Sequence, residues 1–343
     1  MSFDIKEVFA AAKRNNASDV HLVVDLQPIL RIDGNLVRLK KFSKINNKDL
    51  TQAIYSIINE KQKNKFEEQK DLDFGYSSAN VRFRVNIHYE KGKVGLAARL
   101  ISEEIPTMES VGMPASINSL LDSGDGLVLV TGPTGCGKST TLAAMVNYIN
   151  SNYGQKIITL EDPTEFIFKP DKSIIVQRQL GTDIPSFASG LKHALRQDPN
   201  VIMVGEMRDL DTIAAAITLA ETGHLVLATL HTHNAAQSID RIIDVFPPFQ
   251  QNQIRAQLSM SLRAVISQRL IPRAGGGRIA AREIMLNNSA VANLIRENKL
   301  AQLKSIIETS QAEGMISFDR DIRNLLSEKL IEKEVADANI KTL

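Results

Sequence analysis

The sequence is poor in cysteine, in aromatic residues and in excess charge of either sign. Its single cysteine, Cys136, excludes an intramolecular disulfide and a zinc site built from cysteine pairs. Lys and Arg number 41, and Asp and Glu number 39, so the formal net charge is only +2. Because dedicated nucleic-acid-binding proteins usually carry a strongly basic face, this balance argues against that class. We therefore expect no specific nucleic-acid partner.

Long hydrophobic runs are also missing. No uninterrupted apolar run approaches the roughly 18 residues that a membrane span needs, so we expect no direct membrane insertion. Near the start, Asp4 and Glu7 stand where a signal peptide would have its apolar core, and the apolar residues around them recur at helical spacing. These features predict an amphipathic first helix and a cytoplasmic protein that reaches a membrane only through a partner.

The length of 343 residues, 43% of them hydrophobic, predicts two domains at about 150 residues each. In the first hundred residues, short apolar runs flank Asp33-Gly34, a strong hairpin signal. Residues 81–88 alternate strictly between apolar and polar side chains, as in a half-buried strand, and a further strand is expected at 94–100. We therefore predict a small α+β domain with an antiparallel sheet over residues 1–101. Residues 48–60 have the pattern of a helix, and the charge-rich stretch 61–70 is interpreted as a solvated helix end or loop.

The pattern changes after a Pro- and Gly-containing stretch, which we interpret as a linker over residues 102–114. Beyond it, apolar runs without alternation are separated by helical segments, which indicates a parallel sheet covered on both faces. These predicted strands lie at 127–130, 156–160, 201–204 and 225–228. The second domain, residues 115–343, is thus predicted to be α/β, and from about residue 287 the pattern is helical to the end.

The most specific motif is GPTGCGKS at residues 132–139, which matches the phosphate-loop pattern G-x-x-x-x-G-K-[ST]. A predicted strand precedes it and a helix follows, so backbone N–H groups and a helix N-terminus can converge on a phosphate. We expect Lys138 to pair with the β- and γ-phosphates of ATP and the Ser139 hydroxyl to bind Mg²⁺. The complete set of expected nucleotide contacts is Gly132, Pro133, Thr134, Gly135, Cys136, Gly137, Lys138, Ser139 and Thr140. Within the loop, Cys136 is interpreted as a small neutral residue in preference to a redox switch.

Two predicted strands end in acidic residues. The segment NVIMVGEMRD delivers Glu206 to the carboxyl edge of the sheet, where ligands of such sheets bind, and Gly205 stands where a general Walker B strand has Asp. The segment TLEDPTEF brings Glu161, Asp162 and Glu165 to the same edge. These carboxylates could hold the water shell of a metal or orient the attacking water. The alternative for this cluster is a solvated turn.

Histidines and arginines complete the candidate set. His224 and His231 bracket the fourth predicted strand; each alone is most often structural, but together they suggest polar groups near the γ-phosphate. Arg82, Arg84 and Arg99 lie on predicted strands of the first domain. They are either solvated surface residues or a phosphate sensor supplied by a neighbouring subunit.

The four segments GPTGCGKST, TLEDPTEF, VIMVGEMRD and GHLVLATLHTHNA resemble, in order and spacing, the Walker A, Asp box, Walker B and His box of the secretion ATPase superfamily. Within it the chain resembles the type IV pilus retraction ATPases over nearly its whole length, including RFRVN at 82–86 and QRLIPRAGGGRIAAREIM at 268–285. The segment AVANLIRENK at 290–299 resembles one needed for retraction in that family, although Ala292 replaces an Arg.

The resemblance implies an α/β protein in which an N-terminal PAS-like domain precedes a RecA-like P-loop ATPase domain with a C-terminal helical portion. It implies a homo-hexamer that uses ATP and Mg²⁺. Glu206 is implied as the water-activating carboxylate and Glu165 as the essential Asp-box acid, and which of the two is the dominant base is left open. The implied Mg²⁺ residues are Ser139, Glu165 and Glu206, partly through water. The other implied catalytic residues are Lys138, His224, His231, Arg82, Arg84 and Arg99.

The expected function is a motor that powers pilus retraction and twitching motility. The implied partners are a pilus platform protein, which would hold the chain at the cytoplasmic face of the inner membrane, and other pilus ATPases as further candidates. Alternatives are an accessory retraction ATPase or the ATPase of a related secretion or DNA-uptake system. A RecA-like DNA motor and a non-hydrolysing nucleotide-binding regulator are alternatives of other classes.

Overall fold

The computed structural model describes residues 3–32, 34–78, 81–101 and 104–341. It separates into two compact units. The first comprises Met1–Glu104 together with Pro163–Ile167, and the second comprises Ile105–Asp162 and Phe168–Leu343. Residues 102 and 103 of the predicted linker and Asp33 of the predicted hairpin lie outside the described residues.

The first unit contains a six-stranded antiparallel sheet in the order β3-β2-β1-β6-β5-β4. Its strands are β1 (Asp19–Val23), β2 (Ile29–Ile32), β3 (Asn35–Arg38), β4 (Asp71–Ser78), β5 (Val81–Glu90) and β6 (Lys93–Ile101). Its helices are α1 (Ile5–Arg14), α2 (Asn47–Tyr55) and α3 (Glu60–Gln69). The predicted antiparallel sheet is confirmed, and β4 is an additional strand that the sequence pattern did not reveal.

Alternation along β5 produces the core of this unit. Its apolar side chains, Val81, Phe83, Val85 and Ile87, are buried. The ring of Phe9 on α1 stacks on that of Phe83, with centroids 4.3 Å apart. The amphipathic first helix is therefore confirmed, and it covers the apolar face of the sheet.

The charge-rich stretch 61–70 was interpreted as a solvated helix end or loop, but most of it forms a separate helix, α3. The predicted helix over 48–60 ends at Tyr55, and α3 begins after Asn59. Asn59 accepts from the backbone N–H of Gln62, whose side chain accepts from the Asn59 backbone N–H; this is a capping box. Phe66 is the buried anchor of the helix. Capping and one apolar contact thus suffice to form a helix in a segment whose composition suggested a solvated end.

The second unit contains a seven-stranded sheet in the order β13-β12-β7-β11-β10-β8-β9. All neighbouring strands are parallel except β12 and β13, which form an antiparallel pair. The strands are β7 (Gly126–Thr131), β8 (Lys156–Glu161), β9 (Ile174–Gln179), β10 (Val201–Val204), β11 (Leu225–Leu230), β12 (Leu262–Pro272) and β13 (Arg278–Leu286). The α-helices are α4 (Ala115–Ser123), α5 (Lys138–Asn152), α6 (Phe187–Ala194), α7 (Leu210–Glu221), α8 (Ala235–Asp244), α9 (Pro248–Ser261), α10 (Ser289–Arg296), α11 (Leu303–Thr309), α12 (Phe318–Ser327) and α13 (Lys333–Ile340).

The central strands β7, β10 and β11 are buried along their whole length, as non-alternating apolar strands of a parallel sheet should be. The predicted α/β architecture is confirmed, whereas β9, β12 and β13 were not predicted. From Ser289 onward the chain is mainly helical, as expected. No helix within the described ranges is both long enough and apolar enough to cross a membrane.

Candidate nucleotide site

The loop between β7 and α5 has a backbone that only glycine adopts easily. Gly132, Gly135 and Gly137 have φ angles of +142°, +77° and +91°. A Cβ atom added at Gly132 would lie 2.3 Å from the Gln268 carbonyl oxygen and 2.6 Å from the Cys136 sulfur, so no side chain fits there. The loop leads directly into α5 at Lys138, which places a helix N-terminus at its end. This arrangement is suited to holding an anion with backbone N–H groups.

Gln268, a buried glutamine on β12, holds the phosphate loop through hydrogen bonds. The Gln268 side chain donates through Nε2 to the Cys136 carbonyl oxygen at 2.8 Å and accepts through Oε1 from the Thr141 hydroxyl at 2.9 Å. Burial raises the pKa of the Cys136 thiol above its usual value. The buried thiol supports the interpretation of Cys136 as a small neutral residue, because reactive cysteines are exposed and have a lowered pKa.

Lys138 lies beside its own loop and beside His231, which follows β11. Its Nζ donates to the carbonyl oxygens of Gly132 at 2.7 Å and Pro133 at 3.1 Å. The same Nζ is 3.5 Å from Nδ1 of His231, and the Thr134 hydroxyl is 3.4 Å from that nitrogen. Ser139 and Thr140 are exposed in the first turn of α5. The structure thus brings the loop and His231 together.

Glu206 joins the same group at the end of β10. Its Oε1 lies 2.9 Å from Nε2 of His231, and its Oε2 lies 2.7 Å from the Arg208 guanidinium. Burial raises the pKa of Glu206, but the Arg208 hydrogen bond and the nearby positive charges outweigh it, so the pKa falls below its usual value. His231 lies between the two groups, with Nε2 toward Glu206 and Nδ1 toward Lys138. Lys138, His231, Glu206 and Arg208 therefore form a continuous chain along the carboxyl edge of the sheet.

The close packing of β10 against β8 explains the glycine that precedes Glu206. The Gly205 backbone N–H donates to the Leu160 carbonyl oxygen at 2.8 Å. A Cβ atom at Gly205 would lie 3.2 Å from that oxygen. The Thr229 hydroxyl donates to the Gly205 carbonyl oxygen from the other side. An aspartate at position 205 would therefore have to push the Leu160 carbonyl oxygen of β8 away from β10.

The three acids of the Asp box occupy different environments. Glu161 is buried and accepts from Thr159 Oγ1 at 2.6 Å and Gln177 Nε2 at 3.0 Å, which makes it a structural carboxylate. Asp162 is exposed, and its negative charge adds to that of Glu206 in raising the pKa of the Arg208 guanidinium. Glu165 lies in the segment Pro163–Ile167, which belongs to the first unit. Among the described residues, no three His, Cys, Asp or Glu side chains form a ready metal site. The assignment of Glu165 stays a prediction.

His224 lies at the other end of β11 from His231. Its Nδ1 is 3.1 Å from the Leu219 carbonyl oxygen and 3.1 Å from the Thr222 hydroxyl. The phosphate loop follows the carboxyl end of the neighbouring parallel strand β7, whereas His224 precedes the amino end of β11. Within the second unit, therefore, His224 is not grouped with His231, and its catalytic role stays a prediction.

The three predicted arginines lie on β5 and β6 of the first unit. Arg84 and Arg99 are exposed and directly opposite each other, and Arg99 Nε donates to Asp19 at 3.0 Å. The Arg82 guanidinium covers Gly75, where an added Cβ atom would lie 2.5 Å from it. Arg99 is thus already paired with an acid, and the role of the three arginines at the phosphates stays a prediction.

Sequence reasoning missed Gln268, Thr141 and Arg208 as parts of the site. Gln268 and Thr141 bond across 127 residues of sequence, and no local pattern announces such a pair. Arg208 follows Glu206 by two residues in GEMRD. A basic residue so close to the acid at the end of a strand could have predicted their ion pair.

Comparisons with known proteins place nearly the whole chain among characterised relatives. A family model described as Type II/IV secretion system protein matches residues 2–317. The chain is 45% identical over 339 residues to the type IV pilus retraction ATPase PilT of Pseudomonas aeruginosa, covering 98% of both chains. It is 44% identical over 311 residues to a twitching motility protein of Neisseria gonorrhoeae, covering 90% of this chain and 83% of the relative. A crystal structure of the pilus retraction motor PilT with bound ADP superimposes with a TM-score of 0.91 at 45% identity, covering 97% of this chain and 96% of that one. The chain therefore belongs to the Type II/IV secretion system protein family.

Proposed function

We propose that this chain is an ATP-hydrolysing motor that powers retraction of a type IV pilus and works as a homo-hexamer. The observation that carries the proposal is the chain of contacts from Lys138 through His231 to Glu206 at the mouth of the phosphate loop. In this chain of contacts, the ammonium group of Lys138 and the ionised carboxylate of Glu206 both contact His231. The relatives that retract pili or drive twitching provide the specific process.

The residues of the second unit suit hydrolysis of a phosphoanhydride. Backbone N–H groups of the loop and the Lys138 ammonium hold the phosphate oxygens. Glu206 accepts a proton from the attacking water, and His231 keeps this carboxylate beside the loop. The glycine-lined loop and the exposed Ser139 hydroxyl fit a nucleotide with its Mg²⁺ ion, which would neutralise charge on the phosphates. Ser139 would ligate the ion, with Glu206 and Glu165 acting partly through water.

The first unit would contribute charge to the same reaction. We assign it to a PAS-like domain over residues 1–101, joined by a linker over 102–114 to a RecA-like domain over 115–343. The like-charged pair Arg84 and Arg99 and the neighbouring Arg82 are the groups that would stabilise the phosphates. His224 would act in the assembled ring. These roles predict that activity depends on assembly.

The partner and the location follow from the proposed process. Retraction requires a machine at the inner membrane, so the chain would act at its cytoplasmic face through a platform protein. Other pilus ATPases are further partners. The chain as a whole is near neutral, with 41 basic and 39 acidic side chains, which gives no reason to expect nucleic acid as the track.

The test combines an ATPase assay with a deletion phenotype. The full chain should hydrolyse ATP as a hexamer by light scattering, and Lys138→Ala should abolish turnover. Deletion of the gene in its host should give hyperpiliated, non-twitching cells that the normal gene restores and Lys138→Ala does not. Bald cells would instead indicate pilus assembly, unchanged pili would indicate another secretion or DNA-uptake system, and ATPase activity stimulated by DNA would indicate a DNA motor.

A further inference from the structure

Glu283 on β13 accepts a hydrogen bond at the start of a helix far from it in sequence. Its Oε1 accepts the backbone N–H of Ala235 at 2.9 Å. Ala235 is the first residue of α8, and the N-cap Asn234 accepts from Gln237 instead. The first N–H groups of a helix have no partner within the helix, so Glu283 supplies one that α8 lacks.

The start of α8 is tied to the loop that carries His231. Only Thr232, His233 and Asn234 separate that histidine from the helix. The Thr232 hydroxyl lies 2.6 Å from that of Ser238, and the His233 backbone N–H donates to Gln237 at 3.3 Å. Both contacts fasten the loop to the first turn of α8. The position of that first turn therefore sets the position of His231.

On its other side, Glu283 faces the C-terminal helices. It lines a cavity of about 540 Å³ in the second unit together with Arg269 of β12 and Lys304 of α11. Burial raises the pKa of the Glu283 carboxyl group, and the positive charges of Arg269 and Lys304 only partly oppose this rise. The Arg269 guanidinium in turn lies over the ring of Phe318, the first residue of α12, 4.8 Å from its centroid. Glu283 thus holds the first turn of α8 on one side and lines a cavity with residues of α11 and α12 on the other.

We propose that Glu283 is a positioning residue for hydrolysis, which holds the His231 loop in place through the N-terminus of α8. The proposal rests on the proposed ATPase function. Glu283 touches neither the phosphate loop nor Glu206 itself, so it acts through His231. Loss of its hydrogen bond should let the loop shift and weaken the hold on Glu206.

The experiment compares three variants of the full chain by thermal melting, hexamer size, ATPase kcat and KM. Glu283→Gln keeps an oxygen that can accept from Ala235, whereas Glu283→Ala removes it. The control is Asn46→Ala, which removes the side chain that accepts from the Asp49 N–H at 2.8 Å, at the start of α2 in the first unit. Both alanine variants lose one helix-start acceptor, so they should lose a similar few degrees of Tm.

We expect Glu283→Ala to lower kcat about 10-fold or more with KM changed less than about twofold, because a small misplacement of catalytic groups costs rate more than binding. Glu283→Gln and Asn46→Ala should keep kcat within about twofold of the wild type. Normal kcat in Glu283→Ala, or an equal loss in Asn46→Ala, would overturn the proposal. An equal loss in Glu283→Gln would also overturn it, since charge and not the hydrogen bond would then matter. If Glu283→Ala does not fold, Glu283→Asp shortens the reach by one methylene and takes its place, with the same criteria. A wild-type chain without ATPase activity would refute the proposed function instead.

Discussion

Gln268 holds the phosphate loop through two buried hydrogen bonds, and their energy can be tested with two substitutions. Gln268 and Thr141 are 1% and 2% exposed. Gln268→Met keeps the length of the side chain but leaves the Cys136 carbonyl and the Thr141 hydroxyl without this partner. Each unsatisfied buried group costs about 1 to 3 kcal/mol, so Gln268→Met should lower the free energy of unfolding by about 2 to 6 kcal/mol. Thr141→Val leaves only the Gln268 oxygen unpaired and should cost about 1 to 3 kcal/mol.

The double variant distinguishes this account from general disruption of the core. With both substitutions, the Thr141–Gln268 bond disappears from both sides and leaves no orphaned partner at that point. The two single variants together orphan three groups and the double variant only the Cys136 carbonyl, so the double variant should be less destabilised than their sum by about 2 to 6 kcal/mol. Urea unfolding followed by circular dichroism measures each value. Additive effects within about 0.5 kcal/mol would refute the reasoning, because they would mean that the two side chains do not interact.

Three further predictions concern the strand ends and the linker. Glu206→Gln should retain ATP binding but lower turnover at least about 10²-fold, measured by nucleotide titration and phosphate release, and near-normal turnover would transfer the base role to Glu165. Gly205→Ala should lower turnover and should also lower the free energy of unfolding by about 1 to 3 kcal/mol, because the new Cβ atom would lie 3.2 Å from the Leu160 carbonyl oxygen and must displace it. An unchanged urea midpoint would contradict this prediction. Arg282→Met should cost about 2 to 4 kcal/mol in urea unfolding, because the buried guanidinium donates to the Val111 and Gly112 carbonyl oxygens, and a loss below about 0.5 kcal/mol would refute it.

The residues of the second unit show what a sequence pattern can and cannot predict. The β7–loop–α5 segment was predictable because its glycines, lysine and flanking apolar run are contiguous. β12 was missed although seven of its 11 residues are buried and only one is exposed, because it carries Gln268 and two arginines. A buried polar residue looks like a surface residue until its partner is known, and the partner Thr141 is 127 positions away.

The first unit shows a different limit. Strict alternation identified β5, but β4 pairs along its whole length with β5 while its own sequence, DLDFGYSS, has only two buried apolar residues. Tertiary pairing, not propensity, makes it a strand. The acidic box shows the same effect at the site, because one segment places Glu161 in the core, Asp162 on the surface and Glu165 in the first unit. Sequence spacing alone could not separate these three roles.

The last prediction separates retraction from ATP hydrolysis and uses α10, the core of the segment that resembles the retraction family. Leu294 and Ile295 are buried, so their replacement would destabilise the fold by about 2 to 5 kcal/mol and obscure any effect on coupling. Asn293, Arg296 and Lys299 are exposed. Asn293 Nδ2 donates to Glu297 at 3.1 Å, and Lys299 Nζ lies 2.7 Å from the same carboxylate.

Replacing these three exposed residues with Ala breaks only surface contacts, which are worth about 0 to 1 kcal/mol. The triple variant should therefore keep its melting temperature, its hexamer and most of its ATPase rate. If these exposed residues of the segment 290–299 transmit motion to a partner, the variant should still fail to restore twitching to a strain without the gene. Leu294→Ala, measured in parallel, shows what destabilisation alone does to hydrolysis and twitching. Full restoration of twitching by the triple variant would show that these residues have no coupling role. The replacement of a family Arg by Ala292 would then explain the loss of that role. Such a result would favour a related secretion function over retraction.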